Sequence, residues 1–181
     1  MILIKDSLNC IYEASSHVDS IGLAVARRLA QDGAKVVISS RKEANVNKAV
    51  EALTKEGLTV LGVPCHVGDA NQRKDLLKTT VDKFGGLDIL VSNAAVNPAA
   101  TLVIDTPEKA WDKIFEINVK CAYLLTQEAL PLLEKRGKGN IVYISSIAAY
   151  QAMPVRSQCL NLKLSHELHG EGDEFQDDLN H

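Results

Sequence analysis

Between Ile21 and about Ser146, short apolar runs alternate with longer stretches whose apolar residues recur at helical spacing. Ile21, Ala24, Val25 and Leu29 share one helical face, and Gly33 stands where such a helix would end. Val36-Val-Ile38 then reads as a buried strand. Lys42 to Glu56 reads as a helix, with Val46, Ala49, Val50 and Leu53 on one face and Gly57 as its stop. Leu58–Val63 is the next strand. Asn71–Phe84 is the next helix, carried by Leu76, Leu77, Thr80, Val81 and Phe84 and closed by Gly85-Gly86. Leu87–Val91 is a further strand. Beyond Pro98, Thr106 is a good N-cap and Pro107 a good first helical residue. The helix they open runs through Trp111, Ile114, Phe115, Asn118, Ala122 and Leu125 towards Lys135, with Pro131 bending or interrupting it. Asn140–Ile144 is the last strand.

Strand and helix alternate throughout, which predicts parallel βαβ units and an open α/β sheet with right-handed crossovers. Both ends break the pattern. Met1–Ile4 and Leu8–Tyr12 are strand-like, yet Glu13 and His17 interrupt the approach to the first helix. Residues 151–181 turn polar and acidic with no further strand. The outer edge of the strand Asn140–Ile144 is therefore expected to be unpaired or covered only by the tail. It carries no charge, Pro or bulge to blunt it, which predicts a marginal or self-associating protein.

A length of 181 residues suits one domain, and 46% hydrophobic against 24% charged residues exclude a disordered or low-complexity chain. The net charge of −3 hides an uneven spread, with six acids and no Lys or Arg from Leu164 to His181. The mildly basic remainder carries no clustered basic face, so nucleic-acid binding is not expected. Cys10, Cys65, Cys121 and Cys159 form no C-x-x-C pair, which favours free thiols in a reducing compartment. No run approaches the ~18 apolar residues of a membrane span. His166-Glu-Leu-His169 has its histidines at i, i+3 rather than i, i+4, and the acids after Gly170 lack calcium-loop spacing, so no metal site is expected.

Four separated segments, in order, carry a family likeness: Ile21-Gly-Leu-Ala-Val-Ala-Arg-Arg-Leu29, Ser39-Ser-Arg-Lys42, Asp88-Ile-Leu-Val-Ser-Asn-Ala-Ala95 and Ile141-Val-Tyr-Ile-Ser-Ser146. Together they resemble the short-chain dehydrogenase/reductase superfamily over roughly residues 19–154. Cys65-His-Val-Gly68 and Leu90–Pro98 add a likeness to its NADPH-dependent carbonyl and retinal reductases, the dehydrogenase/reductase member 4 group. The resemblance implies a doubly wound parallel sheet of the Rossmann type, truncated here. Residues 1–154 form the dinucleotide-binding domain and 155–181 a divergent acidic tail, expected to be disordered.

The resemblance also assigns candidate residues. The phosphate-binding turn falls on Ser15–Gly22, where only Gly22 of the family's three glycines remains and Ser16 and Ser20 fill the other two places. A Cβ there hinders backbone approach to a pyrophosphate, so Ser20, Ile21 and Gly22 are expected to bind it weakly or not at all. Ser40, Arg41 and Lys42, with no acid before Glu43, suit the 2′-phosphate of NADP(H). His66 and Val67 fall where the family lines the adenine pocket, and Asn93, Ala94 and Ala95 where it lets the nicotinamide ribose approach. Each also has a plainer structural reading: Gly22 as helix–sheet packing, the cations as a solvated helix start, His66 as a structural histidine, and 93–95 as a tight turn.

The family's chemistry uses a Tyr as proton donor, a Lys that tunes it and holds the ribose, a Ser that polarises the carbonyl and an Asn that supports a water relay. Asn118 matches the Asn, and Ser146 the Ser, with Ser145 the neighbouring alternative. The Tyr-x-x-x-Lys pair would align on Cys159 and Lys163, in a segment with no other likeness, and no Tyr follows Tyr150. A thiol is shorter than a phenol and a weak donor. The expectation is an NADP(H)-dependent reductase of ketones or aldehydes by lineage, impaired in this chain. A catalytically inactive nucleotide-binding or subunit-interaction protein is the alternative. Small carbonyl substrates, a homo-oligomer or association with a longer family member are the expected partners. The branch often ends in a peroxisomal signal such as Ser-Lys-Leu, whereas this chain ends Leu179-Asn-His181, which predicts cytoplasmic residence.

Overall fold

A computed structural model of the chain describes residues 9–13, 21–98, 101–137 and 139–145. Five parallel strands make one sheet: β1 (Asn9–Glu13), β2 (Lys35–Ser40), β3 (Val60–Pro64), β4 (Ile89–Ser92) and β5 (Asn140–Tyr143), in the order β3-β2-β1-β4-β5. The helices between them are α1 (Ile21–Gln31), α2 (Glu43–Lys55), α3 (Ala70–Phe84), α4 (Glu108–Phe115) and α5 (Cys121–Glu134). This is the doubly wound arrangement that the alternation predicts. The order reverses between β1 and β4, the switch point outside which open α/β sheets bind ligands.

The pleat sorts the core into two layers. Val36 and Ile38 of β2 pack with Leu23, Ala26 and Ala30 of α1 and with Ala49 and Leu53 of α2. Val37 and Leu90 face the other way, onto Leu76 and Leu77 of α3 and Leu125, Ala129 and Leu133 of α5. Helix α2 lies close on β3 because Gly62 has no side chain: a Cβ there would stand 2.5 Å from Val46 Cγ1 and 2.9 Å from Val50 Cγ2. Helix α3 starts on Asp69, whose carboxylate accepts from Asn71 N and Gln72 N, and ends on Gly85 at φ +86°.

The expected elements are present with shifted ends. The run Leu8–Tyr12 becomes the central strand, paired with β2 on one side and β4 on the other. Two readings need correction. Thr106 does not cap a helix that begins at Pro107: α4 begins at Glu108, Pro107 is its N-cap, and Thr106 Oγ1 donates backwards to Leu102 O at 3.1 Å. The helix that follows is not interrupted at Pro131, which lies inside α5. The break is a π turn over Glu116–Lys120, where Cys121 N donates to Glu116 O. Among the described residues β5 pairs with β4 alone. The run Met1–Ile4, the boundary at 154 and the tail 155–181 lie outside the described residues. No described helix is long and apolar enough to cross a membrane.

Candidate functional site

Because every strand is parallel, the segments leaving β2, β3, β4 and β5 all emerge at one edge of the sheet. Strand β2 delivers Ser39 and Ser40 buried, then Arg41 and Lys42 exposed. Neither cation has an ion-pair partner among the described residues. The Lys42 carbonyl accepts from Asn45 N and Val46 N, which opens α2 and places two positive charges at a helix N-terminus, where the macrodipole opposes them.

The segment after β3 is held against the end of β2, since Cys65 N donates to Ser40 O at 3.0 Å. Cys65 and Val67 are buried and His66 is half-buried between them. His66 N donates to Gln72 Oε1 at 2.8 Å, and His66 Nδ1 accepts from Gly68 N at 2.9 Å. Two side chains of α3 fix this turn. Asp69 accepts the first-turn amides, and those bonds, from Gln72 N foremost and then Asn71 N, hold its carboxyl below the ordinary carboxylate value. Arg73, almost fully buried, donates from Nη1 to Val67 O at 2.6 Å and from Nε and Nη2 to the Glu128 carboxylate on α5. Its guanidinium is held above its ordinary value chiefly by that hydrogen bonding to Glu128.

The segment after β4 meets the π turn. That turn aims Asn118 at a backbone 22 residues away in sequence: Oδ1 accepts from Val96 N at 2.7 Å and Nδ2 donates to Val96 O at 3.0 Å. Both bonds of one peptide-like pair are thus satisfied by one amide side chain, and the loop Asn93–Val96 is clamped. Beside the clamp lies a cavity of about 20 Å³, lined by Ser92, Ala94, Ala95, Asn118, Ala122, Tyr143, Ile144 and Ser145. It has room for about one water molecule. Tyr143 Oη and Thr126 Oγ1 are 2.5 Å apart and tie β5 to α5. Ser145 Oγ is buried without a hydrogen-bond partner among the described residues, as is Ser39 Oγ.

The structure therefore brings Ala94, Ala95 and Asn118 to one cavity, with Asn93 immediately before them. It sets Ser40, Arg41, Lys42, His66 and Val67 on the adjoining ends of β2 and β3. Ile21 is exposed and Gly22 buried in the first turn of α1. Ser20, Ser146 and Lys163 lie outside the described residues. Sequence reasoning missed Arg73, Glu128 and Ser39. Arg73 had a usable signal: it shares the buried stripe of α3 with Leu76, Leu77 and Thr80, at i, i+3, i+4 and i+7. A charge on such a stripe calls for a partner on the facing helix.

Comparison with known proteins fits this arrangement. The sequence model of the family described as short chain dehydrogenase matches residues 17–158, ending one residue before Cys159. Dehydrogenase/reductase SDR family member 4 of Bos taurus is 53% identical over 146 residues, 81% of this chain and 52% of that protein. The chain thus spans about half the length of the curated relatives it matches. A short chain dehydrogenase from Mycobacterium smegmatis superposes with TM-score 0.79 at 29% identity, over 88% of this chain and 66% of that one. A variant actinorhodin polyketide ketoreductase, solved with NADPH, superposes with TM-score 0.80 at 25% identity, over 88% and 61%.

Proposed function

Because the chain belongs to the short-chain dehydrogenase family, we propose that it is an oxidoreductase-family protein built to bind NADP(H) for the reduction of ketones or aldehydes, and that turnover in this chain is slow or absent. The observation that carries the cofactor choice is the end of β2, where Arg41 and Lys42 stand exposed without an ion-pair partner among the described residues and no acid precedes Glu43. An acid at that place would pair with a ribose 2′-hydroxyl, whereas a cation suits a 2′-phosphate. The likeness to a ketoreductase solved with NADPH supports the same reading.

The residues present fit a dinucleotide along this edge. Ser39 Oγ is a buried hydroxyl without a partner at the end of β2, and Ala94 and Ala95 keep the end of β4 free of bulk. Arg41 and Lys42 would hold the phosphate on the adenosine side, His66 and Val67 would flank the base, and Asn93–Ala95 would receive the nicotinamide side. The weakened glycine turn at Ser20, Ile21 and Gly22 would lower affinity. When bound, the nucleotide supplies hydride, and the chain supplies orientation and proton handling. Asn118 fixes the loop through Val96, and Ser146 would polarise a carbonyl oxygen. The place of the proton donor carries Cys159, with Lys163 four residues on. Without a placed acid the developing alkoxide loses a contribution of ~10²–10⁴-fold.

Thermal unfolding with and without NADPH or NADH tests the reading, since a ligand that binds the folded state alone adds ~2.7 kcal/mol at a hundredfold excess over Kd. NADPH should raise Tm more than NADH, Arg41→Asp should narrow or reverse the difference, and NADPH oxidation with a diketone should be absent or very slow. Equal shifts with both nucleotides would sink the cofactor choice. Turnover at the rate of longer family members, abolished by Ser146→Ala, would sink the claim of impairment.

A further inference from the structure

The end of α5 and the start of β5 flank a groove of about 330 Å³, far larger than the cavity beside Asn118. Leu130, Leu133 and Ile141 give it an apolar wall, and Glu134, Gly137 and Gly139 complete the lining. Leu130 is 45% exposed there. Since α5 ends where β5 begins, the groove lies at the edge of the sheet opposite the candidate site. Cations border it in sequence, at Lys135, Arg136 and Lys138. Arg136 is held by Asp88 at 2.8 Å, whereas Lys135 is exposed with no ion-pair partner among the described residues.

One stretch of the tail, outside the described residues, has the pattern to fill it. Between Ser157 and His169, Leu160, Leu164 and Leu168 recur at every fourth residue, which sets them on one helical face with Leu162 alone off it. Ser157 is a good N-cap and Gly170 a good stop. We propose that residues 157–169 form a helix that docks its leucines in the α5–β5 groove of the same chain, and that the acids after it meet Lys135. The lengths agree. A helix of that span covers about 20 Å, and the strand path from Gly139 to Ser145 covers about the same. A helix running back along β5 from its exit therefore reaches the groove, and residues 146–156 make the return. The charges agree too. The Leu168 end arrives at the groove, and Glu171, Asp173 and Glu174 follow it in a stretch with no Lys or Arg, so the acidic run meets a basic border. Leu160, Leu162 and Leu164 also alternate as a strand would, but Leu168 and the stop at Gly170 fit the helix alone.

Hydrogen exchange of the full chain, read by mass spectrometry, tests the docking. Amides 160–169 should exchange more slowly than in a free peptide of the same sequence, by about tenfold or more. Leu164→Ser in the docking segment and Leu130→Ser at its exposed position on α5 should each remove about tenfold of that protection, as the loss of one buried leucine implies. Exchange in α3 and β4 should stay unchanged in both variants, which separates undocking from unfolding. Carbodiimide coupling of carboxylates to amines then identifies the occupant. In a mixture of isotope-labelled and unlabelled protein, Lys135 should couple to Glu171, Asp173 or Glu174 within one chain. Free-peptide exchange rates over 160–169 would overturn the proposal. So would protection that survives Leu130→Ser, as a strand added beside β5 would give. Coupling found only between labelled and unlabelled copies would overturn it as well, by putting a second copy's segment in the groove.

Discussion

Removing the Arg73 guanidinium should be among the most damaging single changes in the described part of the chain. The side chain is 4% exposed, donates to Val67 O at 2.6 Å and grips the Glu128 carboxylate through Nε and Nη2. Arg73→Met keeps an unbranched apolar stem on the buried stripe, so the loss isolates the charge and its bonds. Two groups are then stranded: the Val67 carbonyl and the Glu128 carboxylate. Breaking a buried pair from one side costs about 3–5 kcal/mol. Glu128 retains 22% of its side-chain exposure and can recover part of its hydration, which places the expected loss near the low end of that range. Urea unfolding of Arg73→Met, Glu128→Gln and the double variant gives the cycle. The expectation is a loss of about 3 kcal/mol for Arg73→Met at unchanged m, and a double variant less destabilised than the sum of the singles by about 1 kcal/mol or more. A loss under about 0.5 kcal/mol, or additive singles, would refute the claim that this pair ties α3 to α5.

Three further outcomes follow from the packing and the caps. Gly62→Ala drives a Cβ to 2.5 Å from Val46 Cγ1, and because both valines it meets are stiff, urea unfolding should show a loss of about 1–3 kcal/mol; a neutral result would mean that α2 rides freely over β3. Ser39→Ala removes a buried, unpartnered hydroxyl and should stabilise the nucleotide-free protein by about 1 kcal/mol in the same assay, whereas a loss of that size would reveal a partner for Oγ. Asp69, whose carboxyl is depressed by the Gln72 and Asn71 amides, contributes stability that is present above the ordinary carboxylate value and lost as pH falls through its lower folded value. The Tm advantage of the wild type over Asp69→Asn should therefore shrink as melts are taken from pH 7 down past about 4, and a gap constant with pH would contradict the cap.

What the sequence made legible was set by whether the cause of each element is local. Val36-Val-Ile38 announces a strand because β-branched runs on a sheet buried on both faces are apolar throughout, and the half-buried Leu58–Val63 announces one through Val60, Leu61 and Val63. The same logic clips their ends: β2 continues through Ser39 and Ser40, which are polar and yet buried, and hydrophobic patterning has no means to include them. Strand β1 shows the converse. Asn9 and Glu13 make it a weak strand by composition, but pairing with both β2 and β4 places it at the centre of the sheet. The break near residue 118 had no local signal at all. Pro131 was the obvious candidate in the sequence, and α5 accommodates it, whereas Glu116–Lys120 reads as ordinary helix and leaves the α-helical ladder.

That break also shows why the candidate site was only half visible. Asn118 could be matched to a family position from its short motif, but the motif says nothing of what the amide does in this fold. Its two bonds to Val96 require the side chain to reach the loop that follows β4, and the π turn in which Cys121 N donates to Glu116 O is how the helix presents it there. The π turn and the clamp are therefore one feature, chosen by a tertiary contact rather than by propensity. Arg73 repeats the argument on the other half of the site, where a buried charge on α3 holds Val67 O and, through it, the turn that fixes His66. Each end of the proposed nucleotide track is thus positioned by a helix side chain bonded to loop backbone. The side chains facing the ligand depend on these anchors, and the anchors are what a residue-by-residue motif match leaves out.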